Sequence, residues 1–214
     1  FLTDTTSLEI TGPVTISTNA ADNHGGAFYA HNVVLALDEG PASRLVLGAG
    51  NEARNGSGGG VYAENSFVAM RGVVLGGFGL DGNLAAQDGG GLYVDDSGAI
   101  IEDMKIKANR AERDGGGVAV VNNSVLVMRT TYGSAPTCDP TQLLPNLYCS
   151  EFRGNEAGAR GAGLYLSNSE AFVRDTAFLY NVVDSGSGTE GDAILVDGGA
   201  TVSMTNGLVR GHGV

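Results

Sequence analysis

Three tyrosines, Tyr29, Tyr62 and Tyr93, recur along the first half of the chain, and two positions after them stand His31, Glu64 and Asp95. Aromatic rings pack on the faces of pyranose sugars, and carboxylates accept hydrogen bonds from sugar hydroxyls. Tyr29, Tyr62, Tyr93, Glu64 and Asp95 therefore have the chemistry of a carbohydrate-binding surface. A plainer reading fits the same residues: tyrosines on adjacent strands stack as a surface ladder, each pair adding a few tenths of a kcal/mol. Lys105 and Lys107, beside Glu102 and Asp103, could place a base next to carboxylates that hold calcium, although charges on a solvated turn account for them equally. The run Gly76-Gly77-Phe78-Gly79-Leu80-Asp81 matches the first six positions of the calcium-binding nonapeptide, but it occurs once and lacks the tandem copies such sites need. Calcium is the one cofactor these residues suggest, and the expectation is that there is none. Nothing in the chain reads as a phosphate loop, a zinc ligand set or a nucleophile elbow, so no catalytic or metal-binding residue is assigned.

The elements that must position these residues follow from a pattern repeated six times. An apolar residue precedes an Asn by three positions, and a Gly cluster usually follows the Asn by six or seven. Ile16 leads Asn19 and Gly25-Gly26-Ala27; Leu80 leads Asn83 and Gly89-Gly90-Gly91; Ile106 leads Asn109 and Gly115-Gly116-Gly117; Phe152 leads Asn155 and Gly161-Ala162-Gly163. Asn51 follows a slipped apolar residue, Leu47, and Phe178 leads Asn181 into a degenerate Gly191-Asp192-Ala193. The Asn-to-Asn steps of 32, 32, 26, 46 and 26 residues are those of a solenoid. Three and five positions after the first Gly the residue is apolar in every copy, from Phe28 and Ala30 to Ile194 and Val196. That period of two predicts a strand whose third and fifth positions turn inward. A second strand follows a small polar turn such as Asn65-Ser66 or Asp96-Ser97, and its copies at Ala99–Asp103 and Ala171–Asp175 align residue for residue. One such strand cannot bury its own apolar face, whereas six stacked coils build a continuous core. The expected fold is all-β: a single-stranded parallel β-helix of about six coils. Asn19, Asn51, Asn83, Asn109, Asn155 and Asn181 stand at a sharp left-handed corner, where their amides can bond from coil to coil. Gly residues, and an Ala two residues after most of the Asn residues, serve close approach of the backbone.

One repeat running throughout argues for a single domain over 1–214. The long step holds an insertion, 130–150, with Pro136, Pro140, Pro145, Cys138 and Cys149. A local Cys138–Cys149 disulfide is its simplest reading and places the chain outside the cell; two free cytosolic thiols are the alternative. Asn55-Gly56-Ser57 and Asn122-Asn123-Ser124 are glycosylation acceptors, at Asn55 and Asn122, if the setting is a eukaryotic secretory pathway. A net charge of −12 with two lysines excludes nucleic acid and anionic membranes as natural partners, and no apolar run is long enough for a membrane-spanning helix. Phe1-Leu2-Thr3-Asp4 reads as a mature or trimmed start, and repeat-like sequence at both ends reads as part of a longer assembly.

The string Phe152-Arg153-Gly154-Asn155-Glu156-Ala157, followed by Gly161-Ala162-Gly163-Leu164-Tyr165, resembles the repeat of polymorphic outer-membrane-protein autotransporters, which alternate Phe-x-x-Asn with a Gly-Gly-Ala-Ile-like tetrapeptide. Only the copies at Phe152 and Phe178 keep the Phe. The resemblance implies the pectin-lyase-like, right-handed β-helix and a secreted or cell-surface setting. Gly211-His212-Gly213 resembles the His motif of polygalacturonases, yet the Asp pair that family requires about one coil upstream is missing between Ala193 and Asp197. The expectation is a non-enzymatic extracellular or cell-surface protein with a structural or adhesive role and a possible carbohydrate or cell-surface partner. Two alternatives stay open: a subunit that self-associates through its solenoid ends into a filament, and a polysaccharide lyase or glycoside hydrolase of the same fold.

Overall fold

A computed structural model describes residues 1–4, 7–38, 46–48, 50–77, 82–131, 150–184 and 191–211. Among them there are strands and turns but no helix, and every strand pairing is parallel. The chain is a parallel β-solenoid with four sheets running along its length.

The first sheet stacks Leu2–Thr3, Phe28–His31, Val61–Glu64, Leu92–Asp95, Val118–Val121, Leu164–Ser167 and Ile194–Asp197 in that order. The second stacks Ser7–Thr11, Val34–Asp38, Phe67–Arg71, Gly98–Glu102, Val125–Arg129, Glu170–Arg174 and Thr201–Thr205. The third runs through Thr15–Ile16, Val46–Leu47, Val74–Gly76, Lys105–Lys107, Ser150–Arg153, Thr176–Leu179 and Leu208–Arg210. The fourth is built of two-residue strands: Ala20–Ala21, Glu52–Ala53, Leu84–Ala85, Arg110–Ala111, Glu156–Ala157 and Val182–Val183. Seven strands in three sheets and six in the fourth make six full turns and three sides of a seventh. At about 4.8 Å per turn the described coils rise on the order of 29 Å.

Inward rows fill the coil. Val61, Ala63, Leu92, Val94, Val118, Val120, Leu164 and Leu166 of the first sheet are fully buried, as the period of two predicts. The third sheet supplies Leu47, Leu75, Ile106, Phe152 and Phe178 in one row, and the two Phe rings stack 4.5 Å apart. Leu75, not Leu80, is the member from the third coil, because it pairs with Leu47 and Ile106; Leu80 lies outside the described residues. The Ala residues after the corner Asn form the fourth sheet, where Ala53, Ala85, Ala111 and Ala157 are fully buried against neighbouring coils. Burial falls off in the first and last coils, where Val196 is 38% exposed, since a terminal strand has a neighbour on one side only.

The asparagine corner departs from the expectation in one respect. The left-handed residue is the one before the Asn: Thr18, Gly50, Ala108, Gly154 and Tyr180 have φ of 56°, 75°, 54°, 60° and 55°. The Asn itself is selected for its amide. From Asn109 to Asn155 and from Asn155 to Asn181, the backbone N–H and Nδ2 of one coil both donate to Oδ1 of the next, at 2.8–3.1 Å. Asn19 donates to Asn51 in the same way, and the line continues through Asn83. Asn51, Asn83, Asn109, Asn155 and Asn181 are buried.

The turn between the first and second sheets is a second ladder. Asn65, Asp96, Asn123 and Asn168 take the left-handed conformation, which short side chains with local hydrogen-bonding capacity tolerate. The following Ser66, Ser97, Ser124 and Ser169 each accept from the backbone N–H of the preceding coil, at 2.9–3.2 Å. Cys138 and Cys149, and most of the 130–150 insertion, lie outside the described residues. So do His212, Gly213 and the Phe78–Asp81 part of the nonapeptide-like run.

Candidate functional site

The first sheet brings the predicted tyrosines together on its outward side. Strand register aligns Tyr29, Tyr62, Tyr93, Ala119, Tyr165 and Leu195 in one row, and His31, Glu64, Asp95, Val121, Ser167 and Asp197 in the next outward row. The rings of Tyr29, Tyr62 and Tyr93 lie nearly parallel with centroids 5.1–5.2 Å apart, which is the coil spacing itself. Phe1 covers the remaining face of Tyr29 at 4.8 Å, and Tyr93 packs against the cluster of Ala119, Val121 and Tyr165. Tyr62 is only 7% exposed, with the His24 ring tilted against it at 4.4 Å. The ring faces are thus occupied by one another, and what the row offers is ring edges beside carboxylates. This is the geometry of the tyrosine ladder.

The polar groups along the stack are partnered. Glu64 accepts from the Tyr29 hydroxyl at 3.4 Å and lies 3.2 Å from His31 Nδ1. Asp95 accepts from Asn122 Nδ2 at 2.7 Å. Burial pushes the Asp95 carboxyl above its ordinary range, against the hydrogen bond from Asn122, and the negative charge of Glu64 adds to the rise. Burial also raises the Tyr62 and Tyr93 phenols far above their usual value, with nearby carboxylates adding to it. Both expected glycosylation acceptors are exposed, although Asn55 donates to the Asp22 carbonyl and Asn122 to Asp95.

Lys105 and Lys107 do not converge on Glu102 and Asp103. They reach across to the next coil, where Glu151 pairs with Lys105 in register and is fully buried, 3.6 Å from Lys105 Nζ and 2.6 Å from Lys107 Nζ. Glu102 is held instead by Arg129 at 2.6 Å, and Asp103 accepts from the N–H and hydroxyl of Thr131. Strand geometry is the reason: Glu102 ends one sheet, Lys105 begins the next, and the left-handed Asp103 turns the chain between them.

Sequence reading missed a third ladder at the position before the first four Gly clusters. His24 Nδ1 accepts from the Ser57 N–H, Ser57 Oγ from the Asp88 N–H, and Asp88 Oδ1 from the Asp114 N–H, at 3.0–3.3 Å. Asp88 and Asp114 are buried and are gripped from the side by Arg113 and Arg160, respectively. Arg160 also reaches Asp197 and covers the Tyr165 ring at 4.9 Å. Position in the repeat was the available signal: His24, Ser57 and Asp88 differ in type but share an acceptor, while Arg160, at the same position before Gly161, has none. Among the described residues no three His, Cys, Asp or Glu side chains gather in a metal-binding group.

The molecule so defined is of the parallel β-solenoid class, with polar ladders at its corners and an aromatic ladder on its first sheet. Compared with family models, curated proteins and solved structures, the chain matches none.

Proposed function

We propose that this chain is a non-enzymatic structural shaft of an extracellular or cell-surface protein, a right-handed pectin-lyase-like β-helix of the kind that autotransporter passengers use. The observation that carries this reading is the unbroken asparagine ladder through all six corners. Together with the serine and acceptor ladders, it commits the polar side chains of the corners to holding coil on coil. Such an investment serves a rigid rod. The reading is also supported by the Cys138 and Cys149 pair in a Pro-rich insertion, which suits an oxidising compartment. Adhesion would be exercised from the outer faces of the rod.

Two measurements test the proposal. Incubation with a broad panel of acidic and neutral polysaccharides should release neither unsaturated nor new reducing ends; either product would establish an enzyme and overturn it. Antibodies against the chain should label intact, unpermeabilised cells of the source organism or its culture medium. Labelling confined to permeabilised cells would refute the extracellular setting.

A further inference from the structure

Glu151 stands apart from the other buried acids. It lies on the outward side of the third sheet, between Lys105 and Ala177 in register, while its neighbour Phe152 fills the core. It is nevertheless fully buried, as are the outward Val74, Ala177 and Leu179 of the same face. Asp88 and Asp114 are satisfied, each gripped by two nitrogens of one arginine, and Asp88 also accepts the Asp114 N–H. Among the described residues, neither oxygen of Glu151 accepts a hydrogen bond. Lys107 Nζ lies 2.6 Å from Oε1 and Lys105 Nζ 3.6 Å from Oε2. Lys107 therefore sits at hydrogen-bond distance but off the hydrogen-bond direction, a poor way to hold a buried ion pair. The same contact places the amine no further than about 3.8 Å from the carboxyl carbon, one C–O bond beyond Oε1, which is close to the range of an attacking nucleophile.

We propose that Lys107 and Glu151 condense to an amide, an isopeptide bond that joins the fourth coil to the fifth. A proton passes from the Lys107 ammonium to the Glu151 carboxylate, and the neutral Nζ adds to Cδ. The ammonium of Lys105, beside Oε2, faces the negative oxygen of the tetrahedral intermediate. It hands a proton to the departing hydroxyl and recovers one from the Lys107 nitrogen. A C–N bond forms, a C–O bond breaks and one water leaves, with no oxidant, reductant or co-reactant. Burial of Glu151 then shields the amide from hydrolysis.

The bond falls where the chain has most to gain from it. Asn109 and Asn155 stand 46 residues apart, the longest step in the repeat, and a cross-link over a long loop removes the most freedom from the unfolded chain. Hydrogen bonds already gather at the neck of the insertion: Thr131 donates to Asp103, and the Ser150 N–H donates to the Thr130 hydroxyl. The isopeptide bond closes that neck covalently.

Intact-mass spectrometry of the full chain, folded at neutral pH and then reduced and denatured, tests the proposal. The wild type should weigh one water less than its sequence, a reading that needs no variant to fold. Lys107→Arg keeps a positive charge beside Glu151 but offers no amine to acylate, so it should have its full sequence mass, as should Glu151→Ala. Trypsin should fail to cut the wild type after Lys107, and the digest should contain one branched peptide that carries both residues. A wild type at full sequence mass overturns the proposal. So does a loss of water that persists in Lys107→Arg or Glu151→Ala, or a branch at Lys105.

Discussion

Replacing Asn155 with alanine should destabilise the solenoid by about 4 kcal/mol, and the figure comes from its ladder contacts. Asn155 is 1% exposed, and its side chain takes part in four hydrogen bonds. Oδ1 accepts from the N–H and Nδ2 of Asn109, while Nδ2 donates to the Ile106 carbonyl and to Asn181 Oδ1, all at 2.8–3.1 Å. Each such bond contributes about 1 kcal/mol net, and the Asn109 N–H is left buried without its acceptor, so the sum is not softened by water. Asn19 stands in the same row but is exposed, and its side chain donates only to Asn51 and the Ser17 carbonyl. Asn19→Ala should therefore cost no more than about 1 kcal/mol, because solvent replaces what is lost. Urea unfolding followed by circular dichroism measures both, and amide hydrogen exchange at Asn109 reports the local opening in Asn155→Ala. If the two variants fall within 1 kcal/mol of each other, with Asn109 still protected, the ladder is not what holds the corner.

Three further outcomes follow from backbone and burial. Gly90→Ala would set a Cβ 2.4 Å from the carbonyl oxygens of both Arg110 and Gly116, so it should destabilise by more than about 3 kcal/mol, whereas Gly154→Asn, with nothing within 4 Å and a φ of 60°, should cost less than about 1 kcal/mol in the same urea assay. Ala108→Gly should raise stability by roughly 0.5–1 kcal/mol, because it relieves an alanine held at φ 54°; an unchanged or lower unfolding midpoint would remove the strain argument. Alkaline titration at 295 nm should show the Tyr62 and Tyr93 phenolates only as the fold is lost. Their raised pKa means that above about pH 10 the unfolded chain sheds protons the native one keeps, so stability falls as pH rises through that window. Simple titration of all seven tyrosines near pH 10 with the fold intact would contradict this.

Rows that repeat were legible in the sequence, and contacts between unlike residues were not. The inward rows, the Asn line and the Tyr29–Tyr62–Tyr93 stack follow from period and spacing alone, because a ladder places identical residues one coil apart. The choice of Leu80 for the third coil failed because a fixed spacing from the Asn does not hold there: strand pairing selects Leu75, eight residues before Asn83, whereas its partner Ile106 stands three before Asn109. Lys105 and Glu151 are direct neighbours separated by 46 residues, and an alignment on Ile106 and Phe152 would have paired them. The left-handed residue before five of the six corner Asn residues was hidden because Thr18, Ala108 and Tyr180 have no special propensity for that conformation.

The asparagine ladder also determines how such a chain can change in length. Asn83 and Asn109 stand 26 residues apart, and each hands its hydrogen bonds to the Asn above it. Excising 84–109 would bring Asn83 under Asn155, Ser66 under Ser124, and Val61 beneath Val118, so that like again meets like in the asparagine and serine ladders and in the core. A cut that does not match an Asn-to-Asn step (26, 32 or 46 residues here) would break that register at the corner. The gene can therefore gain or lose whole coils and keep its fold, much as a coding sequence tolerates triplets and rejects single bases.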